Sequence, residues 1–281
     1  MDKLIGLGSA GVNIVDKFAQ YPQYKCYRFD TDLDGLKKNG YYLIDAQSGT
    51  EEYEKNCPSV KNFLKSARPE VTMVMSGCGE ISGMSLSLLE QIQDRKINIL
   101  YIKGGERRLS ARARLTQKAT FGVLQEYARS GLFNSFSVVD NRALERILGN
   151  TPVIGYYDAL NTLLVNTVHM LNVFDNTKPV VSDVSKLSEI NRISTYGISK
   201  FDEKNKENLF FPLDSVRQKR YYFAINKKQL EVDGAINNKI DEYLNQPSHK
   251  EIDVSYGIYP TNYEENFVYY RVYTNKVQEL E

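Results

Sequence analysis

Lys3–Tyr21 reads KLIGLGSAGVNIVDKFAQY: an apolar strand, a glycine-rich turn, then an amphipathic helix with Val12, Val15, Phe18 and Ala19 on one side. Glycines in such a turn let the backbone approach a phosphate, and the helix N-terminus supplies amides and a partial positive charge. Working outward, KCYRFDTD is a second strand ending in acidic residues. VTMVMSG is a third, running into the loop MSGCGEISGMS (Met75–Ser85) and the helix SLSLLEQIQDR. INILYIKGG makes a fourth strand, RLTQKATFGVLQEYARSG a helix closed by Gly131, and FSVVDN a fifth strand. Strands alternating with helices imply an α/β fold, a Rossmann-like parallel sheet covered on both faces.

From Tyr156 the pattern changes. YYDALNTLLVNTVHMLNVF is a long helix with Leu160, Leu163, Leu164, Thr167, Val168 and Leu171 at helical spacing, and it spans the junction between two domains. From about Asn176, RISTYGISKF, RYYFAINKK, IDVSYGIYP and NFVYYRVYT alternate Tyr, Phe, Val and Ile as strands do, around a helix at GAINNKIDEYLNQ. The expected division is a nucleotide-binding domain over 1–150, a connecting core helix over 151–175 and a smaller α+β domain over 176–281. The charged DEKNKEN segment reads as an exposed connection.

The 281 residues, 42% of them hydrophobic, are enough for one large domain or two modest ones. Lys plus Arg total 36 against 35 for Asp plus Glu, so the overall field gives no reason to expect nucleic-acid or membrane binding. Cys26, Cys57 and Cys78 form no CxxC pair, which argues against a disulfide framework or a zinc site. MDKLIGLG enters a strand directly, and no apolar run approaches the about 18 residues of a spanning helix, so a cytoplasmic protein is expected.

GLGSAG at Gly6–Gly11 fits GxGxxG, a weak motif by itself. Asp30 and Asp32 end the second strand, where a dinucleotide-binding Rossmann unit places the acid that holds a ribose hydroxyl, so a NAD-type site is an open alternative. The long order of motifs, however, resembles the tubulin/FtsZ family of nucleotide-dependent filament proteins over nearly the whole chain. IGLGSAGVN is similar to IGxGGGGxN, with Asn13 at the Asn position, and DTD to the NTD after the second strand. MSGCGEISGMS falls where the family carries AGMGGGTGTG, so that Gly77, Gly79, Ser82 and Gly83 coincide with Gly, Gly, Thr and Gly. SVVDN, ending at Asn141, is similar to a strand ending IPN, ALERILG to LLKVLG, and YYDALN to FGAAN.

The resemblance implies a guanine nucleotide, GTP or GDP, with Mg²⁺ accompanying the triphosphate. Its phosphates would meet Gly6, Gly8, Ser9, Ala10, Gly11, Gly77, Gly79, Glu80, Ser82 and Gly83, with Asn13, Asp30, Arg114 and Asn141 around them. Tyr157 would stack on the base and Asn161 read its edge. Those types suit the task independently: an aromatic face holds a flat base, and an amide offers both donor and acceptor. The implied function is longitudinal assembly of the chain with itself into filaments, without nucleic acid or membrane. The absence of a long tail after VQELE and of the extra helices of eukaryotic tubulins suggests a compact, divergent member of phage or plasmid type, in the host cytoplasm if viral.

Departures are concentrated at two places. Glu80 and Ile81 replace two glycines, Met84 a threonine and Ser85 a glycine. A dry carboxylate facing a triphosphate would repel it, by ~4 kcal/mol for two charges at 4 Å in an intermediate dielectric. Glu80 is therefore compatible with three outcomes: a cation contact on the phosphates, a side chain turned away, or a site that no longer takes triphosphate. In the family, hydrolysis is completed by the next subunit's NxDxxD loop. Here KPVVSDV keeps Asp183 as the candidate catalytic carboxylate, with Lys178 and Val180 in the places of the asparagine and first aspartate. Asp175 is an upstream substitute, and a helix N-cap for VSKLSEI is the other reading of Asp183. Arg107, Arg108, Arg112 and Arg114 could pair with phosphate or offset Glu80. His169 reads as a core or interface residue, and His249 has no partner that can be named. A possible GTPase, a non-hydrolysing structural relative and a NAD oxidoreductase are the three functions consistent with the sequence.

Overall fold

The computed structural model describes residues 2–32, 39–105, 109–202 and 207–280. The chain divides into two units, Met1–Val165 with Val277–Glu281, and Asn166–Lys276, the division falling inside a 20-residue helix.

The first unit runs β1 (Asp2–Leu7), α1 (Gly8–Phe18), β2 (Tyr24–Asp30), β3 (Tyr41–Leu43), α2 (Thr50–Lys55), β4 (Glu70–Ser76), a 3-10 turn (Glu80–Met84) and α3 (Ser85–Glu90). It continues through β5 (Lys96–Lys103), α4 (Ala111–Arg129), β6 (Ser135–Asp140), α5 (Asn141–Leu148) and α6 (Tyr156–Asp175), which carries on into the second unit. The sheet order within it is β3-β2-β1-β4-β5-β6. Every pairing is parallel, as the strand–helix alternation predicts. β6 is buried along its full length, the pattern of a strand covered on both faces.

Close backbone approach sets α1 on this sheet. A Cβ on Gly11 would strike the Val74 carbonyl oxygen of β4, and one on Gly6 would sit 2.7 Å from the Gly11 oxygen. Gly8 takes φ +69°, which turns the chain from strand into helix without the clash a side chain would bring. The α4 helix begins under Ser110, whose hydroxyl accepts from the Ala113 amide at 3.2 Å. It ends on Gly131 at φ +89°, with the Leu132 amide donating to the Tyr127 carbonyl at 3.0 Å.

The second unit holds β7 (Val181–Asp183), β8 (Ile193–Lys200), β9 (Gln218–Asn226), α7 (Lys227–Val232), α8 (Ala235–Leu244), β10 (Asp253–Thr261) and β11 (Phe267–Thr274). Its order is β8-β11-β9-β10-β7, mixed: β9 and β10 run parallel across the intervening helices, and the other pairs are antiparallel. One face buries Tyr221, Phe223, Ile225, Ile236, Ile240 and Tyr243 together. On β9 the alternate residue Tyr222 stacks near Phe174 at 6.0 Å between centroids, so this strand is buried on both faces rather than half-exposed.

Four sequence expectations are corrected. VSKLSEI forms no helix: Gln218 holds the segment extended, its Nε2 donating to the Lys186 carbonyl at 3.1 Å and its Oε1 accepting from the Ser188 amide at 3.4 Å. The strand expected through Lys228 stops at Asn226, whose side chain accepts from the Lys228 amide at 2.9 Å and starts α7. The helix expected through Arg95 stops at Glu90. Of DEKNKEN, residues 203–206 lie outside the described residues, and Glu207 is half-buried against Lys219 at 2.8 Å rather than exposed.

Two alanine substitutions of opposite sign test the packing of α1 and the open middle of α4. Gly11→Ala pushes a methyl into backbone that cannot yield and is expected to cost at least about 2 kcal/mol. Gly122→Ala, mid-helix in α4 with nothing within 4 Å of the added Cβ, should stabilise by about 0.5–1 kcal/mol. Urea unfolding of both variants reads the two signs directly.

Candidate functional site

Because β1, β2, β4, β5 and β6 are parallel, the segments that follow them gather at one end of the sheet. Those are the Gly8–Gly11 turn, Asp30, the Gly77–Gly83 loop, Lys103 and the Asp140–Asn141 pair. The order reverses between β1 and β4, and the two glycine loops are the ones that follow these strands. That crevice is where open α/β sheets take ligands.

α1 enters the crevice with its N-terminus uncapped: Leu7 is extended and makes no side-chain cap bond, and no acid stands in the first turn. Ser9, Ala10 and Asn13 are exposed along it. The 3-10 turn faces it. A Cβ on Gly8 would lie 2.8 Å from Ile81 Cγ2, and one on Gly79 would lie 3.9 Å from the same methyl, so the Ile81 side chain sits over both glycine loops. Ser82 does not point its hydroxyl at this space; its Oγ donates to the Gly79 carbonyl at 2.7 Å or the Gly77 carbonyl at 3.3 Å.

The retained glycines of this loop have two different reasons. A Cβ on Gly77 would strike the Tyr101 hydroxyl, and one on Gly83 the Thr50 carbonyl at the start of α2. Tyr101 is wholly buried; burial pushes its phenol far above the ordinary range, and it donates to the Gln117 carbonyl at 3.1 Å. Gly79 alone is open and exposed.

Glu80 is exposed and pairs with Arg112 Nη1 at 3.4 Å, while the other Arg112 nitrogen closes on Gly49. Arg114 instead turns back and donates to the Leu109 carbonyl at 3.1 Å. Arg107 and Arg108 lie outside the described residues. Asp30 is buried and accepts from the Thr31 amide at 2.8 Å; Asp32 is exposed. Among the described residues no group of three or more His, Cys, Asp or Glu could hold a metal ion.

Tyr157, in the first turn of α6, is 56% exposed and stands edge-on to Tyr156 at 5.0 Å. Asn161 follows one turn later, half-buried. Asp158 between them pairs with Lys17 at 2.6 Å and ties this first turn to the last turn of α1.

In the second unit, Asp183 is exposed on the short edge strand β7, paired with Tyr256 of β10. Lys178 and Val180 are exposed beside it. One Asp175 oxygen accepts from the Tyr222 hydroxyl at 2.6 Å. His169 is buried, and burial lowers its pKa. His249 has partners after all: Nε2 stands 3.0 Å from the Tyr221 hydroxyl and 3.4 Å from Lys219 Nζ, and Nδ1 lies 3.1 Å from the Leu244 carbonyl.

The sequence reading missed Lys103 and Asp140. They form a 3.0 Å ion pair with both side chains about nine-tenths buried, at the ends of β5 and β6, beside Asn141. Asp140 also accepts from the Arg142 amide at 2.8 Å and caps α5. A lysine and an aspartate closing two successive apolar strands were the available signal.

No protein-family model matches the chain, and no curated protein matches it by sequence. Solved structures do. A GTPγS-form protofilament of TubZ from Bacillus thuringiensis serovar israelensis matches with a TM-score of 0.71 at 16% identity, over 99% of this chain and 88% of that one. The GDP-bound monomer of CetZ1 from Haloferax volcanii gives 0.70 at 18%, over 98% and 94%. An empty FtsZ dimer from M. jannaschii gives 0.71 at 13%, over 97% and 87%. The chain has the tubulin/FtsZ fold, the matches covering 97% to 99% of it.

Removing Asp140 alone would strand a buried lysine. Asp140→Ala should cost about 3–5 kcal/mol, whereas Lys103→Met with Asp140→Leu together should cost far less. A double-mutant cycle by chemical denaturation separates the pair from the cap.

Proposed function

We propose that this chain binds a guanine nucleotide in the crevice between β1 and β4 and assembles with itself into filaments, the nucleotide lying between successive copies. The observation that carries the reading is the pair of glycine loops at the strand-order reversal, one of them leading into the uncapped N-terminus of α1. The TubZ and CetZ structures hold GTPγS and GDP, and TubZ forms protofilaments. Gly6–Gly11, Gly77, Gly79, Ser82 and Gly83 form the phosphate side, with Glu80 drawn aside by Arg112 and available to a Mg²⁺ ion carried by the triphosphate. Asn13, Asp30, Arg114 and Asn141 border the ribose and phosphates, and Tyr157 and Asn161 take the base.

Hydrolysis is the weak part of the activity. Asp183 is the one retained carboxylate of the loop that would polarise water for the neighbouring copy, with Val180 in place of the other. A NAD oxidoreductase shares the sheet order of the first unit, but it does not account for the second unit or for the likeness spanning 97% of this chain.

Equilibrium binding of GTP, GDP, ATP and NAD, with and without Mg²⁺, tests the proposal. Guanine selectivity is expected, with Tyr157→Ala weakening binding by about 1–2 kcal/mol, roughly five- to thirtyfold. Nucleotide-dependent light scattering should accompany it, with slow phosphate release that rises with protein concentration. Tight NAD binding, or guanine binding indifferent to Tyr157, would overturn the reading.

A further inference from the structure

The α4 helix carries apolar residues on two sides. Its inner side buries Gln117, Phe121, Leu124, Gln125 and Ala128. Along the opposite side, at helical spacing, stand Arg112, Leu115, Ala119, Val123 and Glu126, all exposed. Leu115 is 70% exposed and Val123 39%. Ala119 lies midway between them, and a Cβ added at Gly122, one turn on, would meet nothing within 4 Å, so the middle of this stripe stands in low relief. An outward apolar row with a flat centre is a surface on which a second helix can lie.

The stripe is self-complementary when reversed. Leu115 and Val123 each stand four positions from Ala119, and Arg112 and Glu126 each stand seven, one cationic and one anionic. Seven residues are close to two helical turns, so the two charges lie on the same side as Ala119. A second α4 turned end for end about a two-fold axis at Ala119 sets Leu115 beside the second copy's Val123 and Arg112 beside its Glu126, each pairing made twice. A parallel copy in register would set like charge against like. Both charges have capacity left: Arg129 holds only Oε2 of Glu126, and Arg112 reaches Glu80 through Nη1 at 3.4 Å. Joined, the four alternate in sign: Glu80 and Arg112 of one copy, then Glu126 and Arg129 of the other.

We propose that the outward face of α4 is an isologous contact between two copies of this chain, packed as an antiparallel helix pair about Ala119. The small side chain at the axis admits the near end of the about 8–10 Å that separates packed helix axes. A two-fold contact closes on itself, so it joins two copies and stops, needs no nucleotide, and stands whether or not the chain also assembles end to end. One helix pair is a small interface, which sets the expected Kd at roughly 1–100 µM.

Sedimentation velocity of the full chain without nucleotide, at concentrations bracketing that Kd, tests it. A reversible monomer–dimer equilibrium is expected. Ala119→Arg, at an exposed helical position that accepts arginine readily, sets two like charges at the axis and should raise Kd at least tenfold, while circular dichroism stays that of the parent. Arg112→Glu and Glu126→Arg should each weaken the dimer at least tenfold alone. Mixed in equal amounts they should pair again, because both contacts of the mixed dimer then join opposite charges. A parent that stays monomeric leaves this face to some other partner and overturns the proposal. So does a dimer that survives Ala119→Arg, or a mixture of the two charge variants that fails to pair.

Discussion

The contact between the Gly11 backbone and the Val74 carbonyl is the constraint on which the rest of the first unit depends. It seats the first turn of α1 directly on the seam between β1 and β4, with no side chain between helix and sheet at Gly11. The helix N-terminus is thereby fixed at the strand-order reversal, and its uncapped end opens into the crevice. The loop after β4 can then reach the same space, and Ile81 does reach it, lying over Gly8. A methyl at position 11 would lift the helix and separate the two loops. The Lys17–Asp158 pair extends the same placement to the start of α6, which brings Tyr157 beside the helix that carries Asn13.

Charge is distributed unevenly between the two ends of that sheet. At the carboxyl end Lys103 is matched by Asp140 in a buried pair, and Glu80 by Arg112. The Glu80–Arg112 pair is roughly half-exposed at each partner, so it contributes little to stability. Its effect is to neutralise the carboxylate near the crevice. The uncapped N-terminus of α1 adds the partial positive charge of its helix dipole there, which acts over about one turn. At the amino end, Lys61, Lys65, Arg68 and Arg95 outnumber Glu90 and Asp94.

The parallel sheet, the glycine turn and the change of character near Tyr156 were legible because each has strong local patterning: long apolar runs, a positive-φ glycine, sustained helical spacing. Elements without such patterning were not legible. α2 is TEEYEK, with Tyr53 its single buried residue, yet its first carbonyl is what Gly83 packs against. VSKLSEI has spacing compatible with a helix, and a glutamine 30 and 32 residues from the two backbone groups it bonds overrides it. The Lys103–Asp140 pair joins residues 37 apart, and the Glu207–Lys219–Tyr221–His249 cluster converges from three segments. Local sequence carries no trace of either until the sheet exists.

Motif agreement in the Met75–Ser85 loop also conceals two kinds of residue. Gly77 is held to glycine by the Tyr101 hydroxyl and Gly83 by the Thr50 carbonyl, whatever the crevice binds. Ser82 matches the family's threonine, yet its hydroxyl closes the turn on its own carbonyls. Of the four positions that coincide with the signature, only Gly79 has no packing reason to be retained. Packing therefore accounts for the resemblance at three positions and leaves Gly79 without a packing reason. The replaced positions carry the remaining information about function: Ile81 narrows the space above Gly8, and Glu80 is drawn to Arg112. Two of the four replaced positions, Met84 and Ser85, are buried, so the loop keeps its structural glycines and changes its exposed surface chiefly at Glu80 and Ile81.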